Sequence, residues 1–205
     1  MLMGNPRHGK KNKEQQKGGS TVLLYIHDLT YLIAIMMILF LLVFRVVVVS
    51  GSSMKETLKD GDYLLLLSNV FYKDPQPGDI VVASKDSFEN GVPIVKRVIA
   101  TEGQTVDIDF ITNTVYVDGV ALDEPYIHPN TSYVYSSDRL TFPLVVDEGC
   151  VFVLGDNRPV SCDSRSTLVG LIDRREILGK AVFLFFPGAD DITKQRDFSK
   201  IGVLP

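Results

Sequence analysis

The 205-residue chain has no tryptophan, only two cysteines and only three histidines. Cys150 and Cys162 form no Cys-x-x-Cys, and His8, His27 and His128 lie far apart, so no zinc site of the usual spacing is present and no metal or cofactor is expected. Glycine and proline are near average usage at 16 and 10 residues, which excludes collagen-like and low-complexity chains. The net charge of −4 conceals an asymmetry: residues 1–20 carry Arg7, Lys10, Lys11, Lys13 and Lys17 against Glu14 alone. The remaining 185 residues hold 16 basic and 24 acidic groups, an acidic body poorly suited to nucleic acid.

One long apolar run stands out. Residues 29–44, LTYLIAIMMILFLLVF, carry no charge, and passing through Arg45 to Val49 gives twenty-one residues. A helix of that length spans roughly 30 Å at about 1.5 Å per residue, and the Arg45 stem can snorkel. A secretory signal peptide has a shorter apolar core of about 7–15 residues ending at a small-residue site. A buried core helix would be amphipathic, which this segment is not. The expected layout is a flexible basic tail over 1–28, a transmembrane anchor over 29–49 and a β-rich domain over 50–205. Four lysines precede the run, so the positive-inside tendency places the N-terminus in the cytoplasm and the body outside.

From Val46 onward the pattern changes to short β-rich runs at 63–67, 79–83, 94–100, 105–110, 114–119, 150–155 and 180–186. Gly-Asp, Asn-Gly and Pro-Gly pairs punctuate them, and no helical period appears. The fold class is mainly β, an antiparallel sheet domain behind one N-terminal helix. Residues 124–142 form a polar excursion from it.

Three segments could carry chemistry. SGSSMKETLKDGD, at 50–62, is either a linker or the seat of an exposed serine; Ser53 lies nine residues past Phe44. A nucleophilic serine needs a base. His128 is the sole histidine of the body, but the strand IVKRVIA offers an alternative, with one cation on each otherwise apolar face, Lys96 and Arg97. Arginine keeps its proton in proteins, whereas a buried lysine can lose it and act as a base. Lys96 could equally sit on a solvated outer strand. The third segment, GDNRPVSCDSRS at 155–166, is a dense polar loop that could cap a turn or hold a lysine and a serine in register, with Ser161 orienting the amine.

In this order the segments resemble the bacterial type I signal peptidases, membrane serine proteases with a Ser–Lys dyad. The resemblance spans roughly 29–187 and includes GSSMKETLKDGD, PGDIVV, VKRVIATEGQTV, VYVDGVALDEPYI and GDNRPVSCDSR. It implies Ser53 as nucleophile and as an oxyanion donor through its N–H, Lys96 as general base, and Ser161 as the group orienting the lysine. It also implies an Asp163–Arg165 ion pair bracing the loop, and Met54, with Val49 and Val95 beside the dyad, as substrate-pocket residues. The implied substrates are secretory preproteins cut after an Ala-x-Ala-like site at the cytoplasmic membrane, bound as an added strand.

Three positions depart from the family pattern. Glu56 replaces a usual proline, Gly51 replaces a second oxyanion hydroxyl that Ser52 could supply, and ATEGQ replaces a Gly-x-x-Gly-Asp turn. The competing expectations are a membrane-tethered β-rich binding domain, a catalytically inactive homologue, and a β-lactamase-like enzyme using Ser52 and Lys55. The last lacks a Lys-Thr-Gly motif. A disulfide between Cys150 and Cys162 and two separate thiols are both compatible with the sequence.

Overall fold

The computed structural model describes residues 8–55, 57–127, 138–189 and 195–205. The chain divides into two units, one ending at Leu42 and one running from Val43 to Pro205. The first is a single helix, α1 (His8–Val43), whose apolar portion, Val22–Val43, is long enough to cross a bilayer. Its helical course extends through most of the expected flexible tail. The Lys, Glu and Gln residues there are good helix formers, and they continue a helix already nucleated in the apolar run.

The apolar helix ends earlier than the sequence suggested. Phe44–Val48 is strand β1, paired residue by residue with β2 (Tyr63–Ser68), so 44–49 do not belong to the span. Four consecutive valines favour an extended backbone, and a partner strand supplies the ladder that a lone apolar run lacks. Hydropathy cannot make this distinction, because both alternatives are equally apolar.

In the second unit follow β3 (Ile80–Ala83), β4 (Ile94–Thr101), β5 (Thr105–Asp109), β6 (Thr114–Val117) and β7 (Val120–Ala121). Next come β8 (Leu144–Val145), β9 (Cys150–Leu154), β10 (Ile172–Asp173), β11 (Ile177–Phe186) and β12 (Gly202–Val203). All seven expected strands are present. The eight-stranded sheet runs β1-β2-β11-β3-β4-β9-β10 with β12 on β11, and the smaller sheet runs β7-β6-β5-β8. Every pairing is antiparallel.

Strands β3, β4 and β9 at the centre of the larger sheet are buried almost throughout. Alternation along β4 sends Val95 into a cluster with Val49, Met54, Leu64 and Ile80, and Val98 into another with Val81, Val151 and Val153. Both faces of β4 are therefore covered, and its two cations cannot reach bulk water. Cys150 and Cys162 are not joined by a disulfide.

Candidate active site

The serine segment is a loop pinned at both ends. Val49 N–H donates to Asp62 O (2.8 Å) and Gly61 N–H to Val49 O (2.9 Å), which continues the β1–β2 pairing beyond the strands. Inside the loop, Gly51 adopts φ +92° and its N–H donates to Asp60 Oδ1 at 2.8 Å. That left-handed backbone suits glycine and explains why no hydroxyl-bearing residue stands there. Met54 O accepts from Thr57 and Leu58, closing a tight turn whose apolar side chains, Met54 and Leu58, are fully buried. Ser53, between exposed Ser52 and buried Met54, is left half-buried.

Lys96 lies mid-strand in β4, opposite Val81 of β3, and is only 4% exposed. Its Nζ is 2.7 Å from Ser53 Oγ. Burial pushes the ammonium below its ordinary pKa; Asp163, Cys162 and Asp156 oppose this, and Arg165 reinforces it. An amine held in this way can become neutral and accept the serine proton. Among the described residues the Ser53 N–H has no acceptor, so it can donate to an incoming oxygen.

The 155–165 loop holds the serine segment from the other side. Asn157 N–H donates to Ser53 O and its Nδ2 to Ser52 O, both at 2.9 Å, while Asp156 N–H points at Met54 Sδ at 3.4 Å. Gly155 is packed so closely that a Cβ there would stand 2.6 Å from Ser53 O and 2.2 Å from Ser161 Oγ. Arg165 Nε reaches Asp163 Oδ1 at 2.8 Å, and Asp163 Oδ2 also accepts from Gly155 N–H at 3.0 Å. Burial alone would raise the Asp163 carboxyl, but the Arg165 guanidinium and the Gly155 N–H hold it below the ordinary carboxylate range. The Ser161 hydroxyl is buried beside Gly155 and makes no hydrogen bond among the described residues.

Val49, Met54 and Val95 meet in one core cluster, with 4%, 1% and 9% exposure. His128 and Glu56 lie outside the described residues. Two ion pairs were not anticipated. Arg97 binds Asp156 with both Nε (2.9 Å) and Nη2 (2.7 Å), and Arg158 binds Glu124. Arg97 and Arg158 are at most 2% exposed, so each needs such a partner. The apolar setting of Arg97 was visible in the alternation of β4, but the identity of its partner was not.

A half-buried serine hydroxyl thus stands against a buried amine on an antiparallel sheet that follows an apolar helix in the chain, an arrangement compatible with a serine peptidase of β architecture. The family model described as "Signal peptidase, peptidase S26" matches residues 23–186. A signal peptidase I of Bacillus licheniformis is 40% identical over 149 residues, covering 70% of this chain and 77% of its own. Signal peptidase I T of Bacillus subtilis (strain 168) is 31% identical over 193 residues, covering 90% and 96%. A crystal structure of a signal peptidase I from Enterococcus faecalis V583 is 35% identical and covers 53% of this chain and 97% of its own, with a TM-score of 0.42. The chain belongs to the signal peptidase I family, serine endopeptidases that remove signal peptides. Family membership carries preprotein substrates and association with a membrane, with which the single apolar helix is consistent.

Proposed function

We propose that the chain is a membrane-anchored signal peptidase that cuts preproteins after a small-x-small site, with Ser53 as nucleophile and Lys96 as general base. The observation that carries this reading is the 2.7 Å contact between Ser53 Oγ and the buried Lys96 Nζ. Neutral Lys96 takes the Ser53 proton as Oγ attacks the scissile carbonyl. The oxyanion that forms is stabilised by the Ser53 N–H, a donor of the kind worth about 3 kcal/mol. Lys96 then returns the proton to the leaving amine, and in the second half-reaction it takes a proton from the water that attacks the acyl-enzyme.

The Asp163–Arg165 pair holds the loop that carries Ser161, whose hydroxyl, unpaired among the described residues, is the group left to orient the amine. The substrate lies extended as an added strand, its small side chains over the cluster of Val49, Met54 and Val95. Val22–Val43 is the anchor, with the basic segment before it in the cytoplasm and the sheet domain on the extracytoplasmic face.

The test is cleavage of an Ala-x-Ala preprotein by detergent-solubilised full-length protein beside Ser53→Ala and Lys96→Ala. Both substitutions are expected to abolish cleavage with the fold retained. Activity surviving Lys96→Ala would move the base elsewhere, with His128 the next candidate. Folded wild-type protein that cuts no preprotein would instead indicate a tethered binding domain or an inactive homologue.

A further inference from the structure

The segment after β7 grips the catalytic loop through two arginines. Glu124 receives the Arg158 guanidinium, with Nη1 donating to Oε2 at 3.0 Å and Nη2 to Oε1. The Tyr126 hydroxyl donates to the same carboxylate at 2.9 Å. The Tyr126 ring lies against Arg97, whose guanidinium carbon is 4.0 Å from the ring centroid. Arg97 and Arg158 are the two largest fully buried side chains among the described residues. Each also reaches the turn that holds the serine segment: Arg97 binds the Asp156 carboxylate, and Arg158 Nε donates to Gly155 O at 3.0 Å.

We propose that Glu124 and Tyr126 are positioning residues, a clamp that fixes Arg158 and Arg97 and through them the Gly155–Asp156–Asn157 turn against Ser53. The proposal rests on the Ser53–Lys96 reading. Asp156 and Gly78 O occupy the in-plane N–H groups of Arg97, and the Tyr126 ring supplies a negative π surface to one of its flat faces. Asn157 N–H holds Ser53 O, so slack in the turn passes directly to the serine.

The clamp also acts on charge. The titratable groups that act most on Lys96 are Asp163, Cys162, Arg165 and Asp156. Arg165 compensates Asp163, and Arg97 compensates Asp156. If Arg97 loosens, the Asp156 carboxylate is left uncompensated, and it favours the ammonium form of Lys96. The acid limb of the pH–rate profile then moves to higher pH. A strap with only a structural role would lower stability and the yield of folded enzyme but leave the limb in place.

The test is kcat/KM against pH for full-length wild type, Tyr126→Leu, Tyr126→Phe and Ser53→Ala, cleaving one preprotein in detergent. Tyr126→Leu keeps apolar bulk but loses the π face. It is expected to lose about tenfold at pH 7 and to recover towards alkaline pH along a displaced limb. Tyr126→Phe keeps the ring and should keep the wild-type limb. The folded fraction of each variant, measured at every pH, is divided out of kcat/KM, so a partly unfolded Tyr126→Leu preparation still reports the limb. A Tyr126→Leu limb that coincides with wild type would overturn the clamp while leaving the dyad intact. Cleavage surviving Ser53→Ala would overturn the dyad, and the clamp with it.

Discussion

Gly155→Ala is the smallest change that should disable the site. An ideal Cβ at Gly155 would lie 2.6 Å from Ser53 O, 2.6 Å from Ser161 Cβ and 2.2 Å from Ser161 Oγ. The serine hydroxyl can rotate away, but the peptide oxygen and the Ser161 Cβ cannot. Ordinary contact with an added methyl needs about 3.5 Å, so Gly155 and the Ser53 carbonyl must separate by roughly 0.9 Å. Ser53 O is also hydrogen-bonded to Asn157 N–H, so the displacement is carried into the segment bearing the hydroxyl. A misplacement of about 1 Å near reacting groups costs on the order of 100-fold, or about 2.7 kcal/mol of transition-state stabilisation. Overpacking should also lower stability by about 1–3 kcal/mol. Initial rates of preprotein cleavage at saturating substrate, with thermal unfolding measured in parallel, separate the two effects. A folded Gly155→Ala enzyme with kcat within threefold of wild type would refute the packing argument.

Lys96 and Ser161 give further predictions. Activity should fall as pH drops and Lys96 takes up its proton, and metal chelators should leave it unchanged. The same lowered pKa means that the unfolded chain holds the Lys96 proton more tightly than the native state does. Lys96 therefore penalises the fold most at low pH, and the penalty fades as pH rises towards the ordinary lysine value of 10.5. Lys96→Met should abolish cleavage and raise Tm at neutral pH, whereas an unchanged or lower Tm would argue that the amine is well solvated. Ser161→Ala removes a buried hydroxyl that makes no hydrogen bond among the described residues, so Tm should hold or rise. If the hydroxyl orients Lys96, kcat should nonetheless fall about tenfold or more, and wild-type turnover would assign it no role.

The parts of the site visible in the sequence were those set by local pattern. Alternation along IVKRVIA placed one cation on each face of a strand, and only lysine among the two can shed a proton; the structure covers both faces and brings Lys96 to Ser53. Density of polar groups marked the 155–166 loop, and Asp163 and Arg165 pair within it. The partners of Arg97 and Arg158 were hidden because Asp156 and Glu124 lie 59 and 34 residues away in the chain. No local pattern encodes such a choice among several acids. Residues 44–49 were assigned to the anchor because an apolar run reads alike as helix or strand until a partner strand is known. Strands β7, β8, β10 and β12, two residues each, are too short to show alternation.

The direct passage from α1 into β1, with Phe44 following Val43, limits how the peptidase can be made soluble. Chain removal at Val43 leaves the eight-stranded sheet whole. A chain begun at residue 50 would lose β1 as well and uncover the edge of Tyr63–Ser68 that faces away from β11. That strand reads YLLLLS, with no charge and no proline to discourage pairing with another molecule. An exposed strand of this composition is a template for aggregation. Six residues after α1 thus separate a whole sheet from one expected to self-associate.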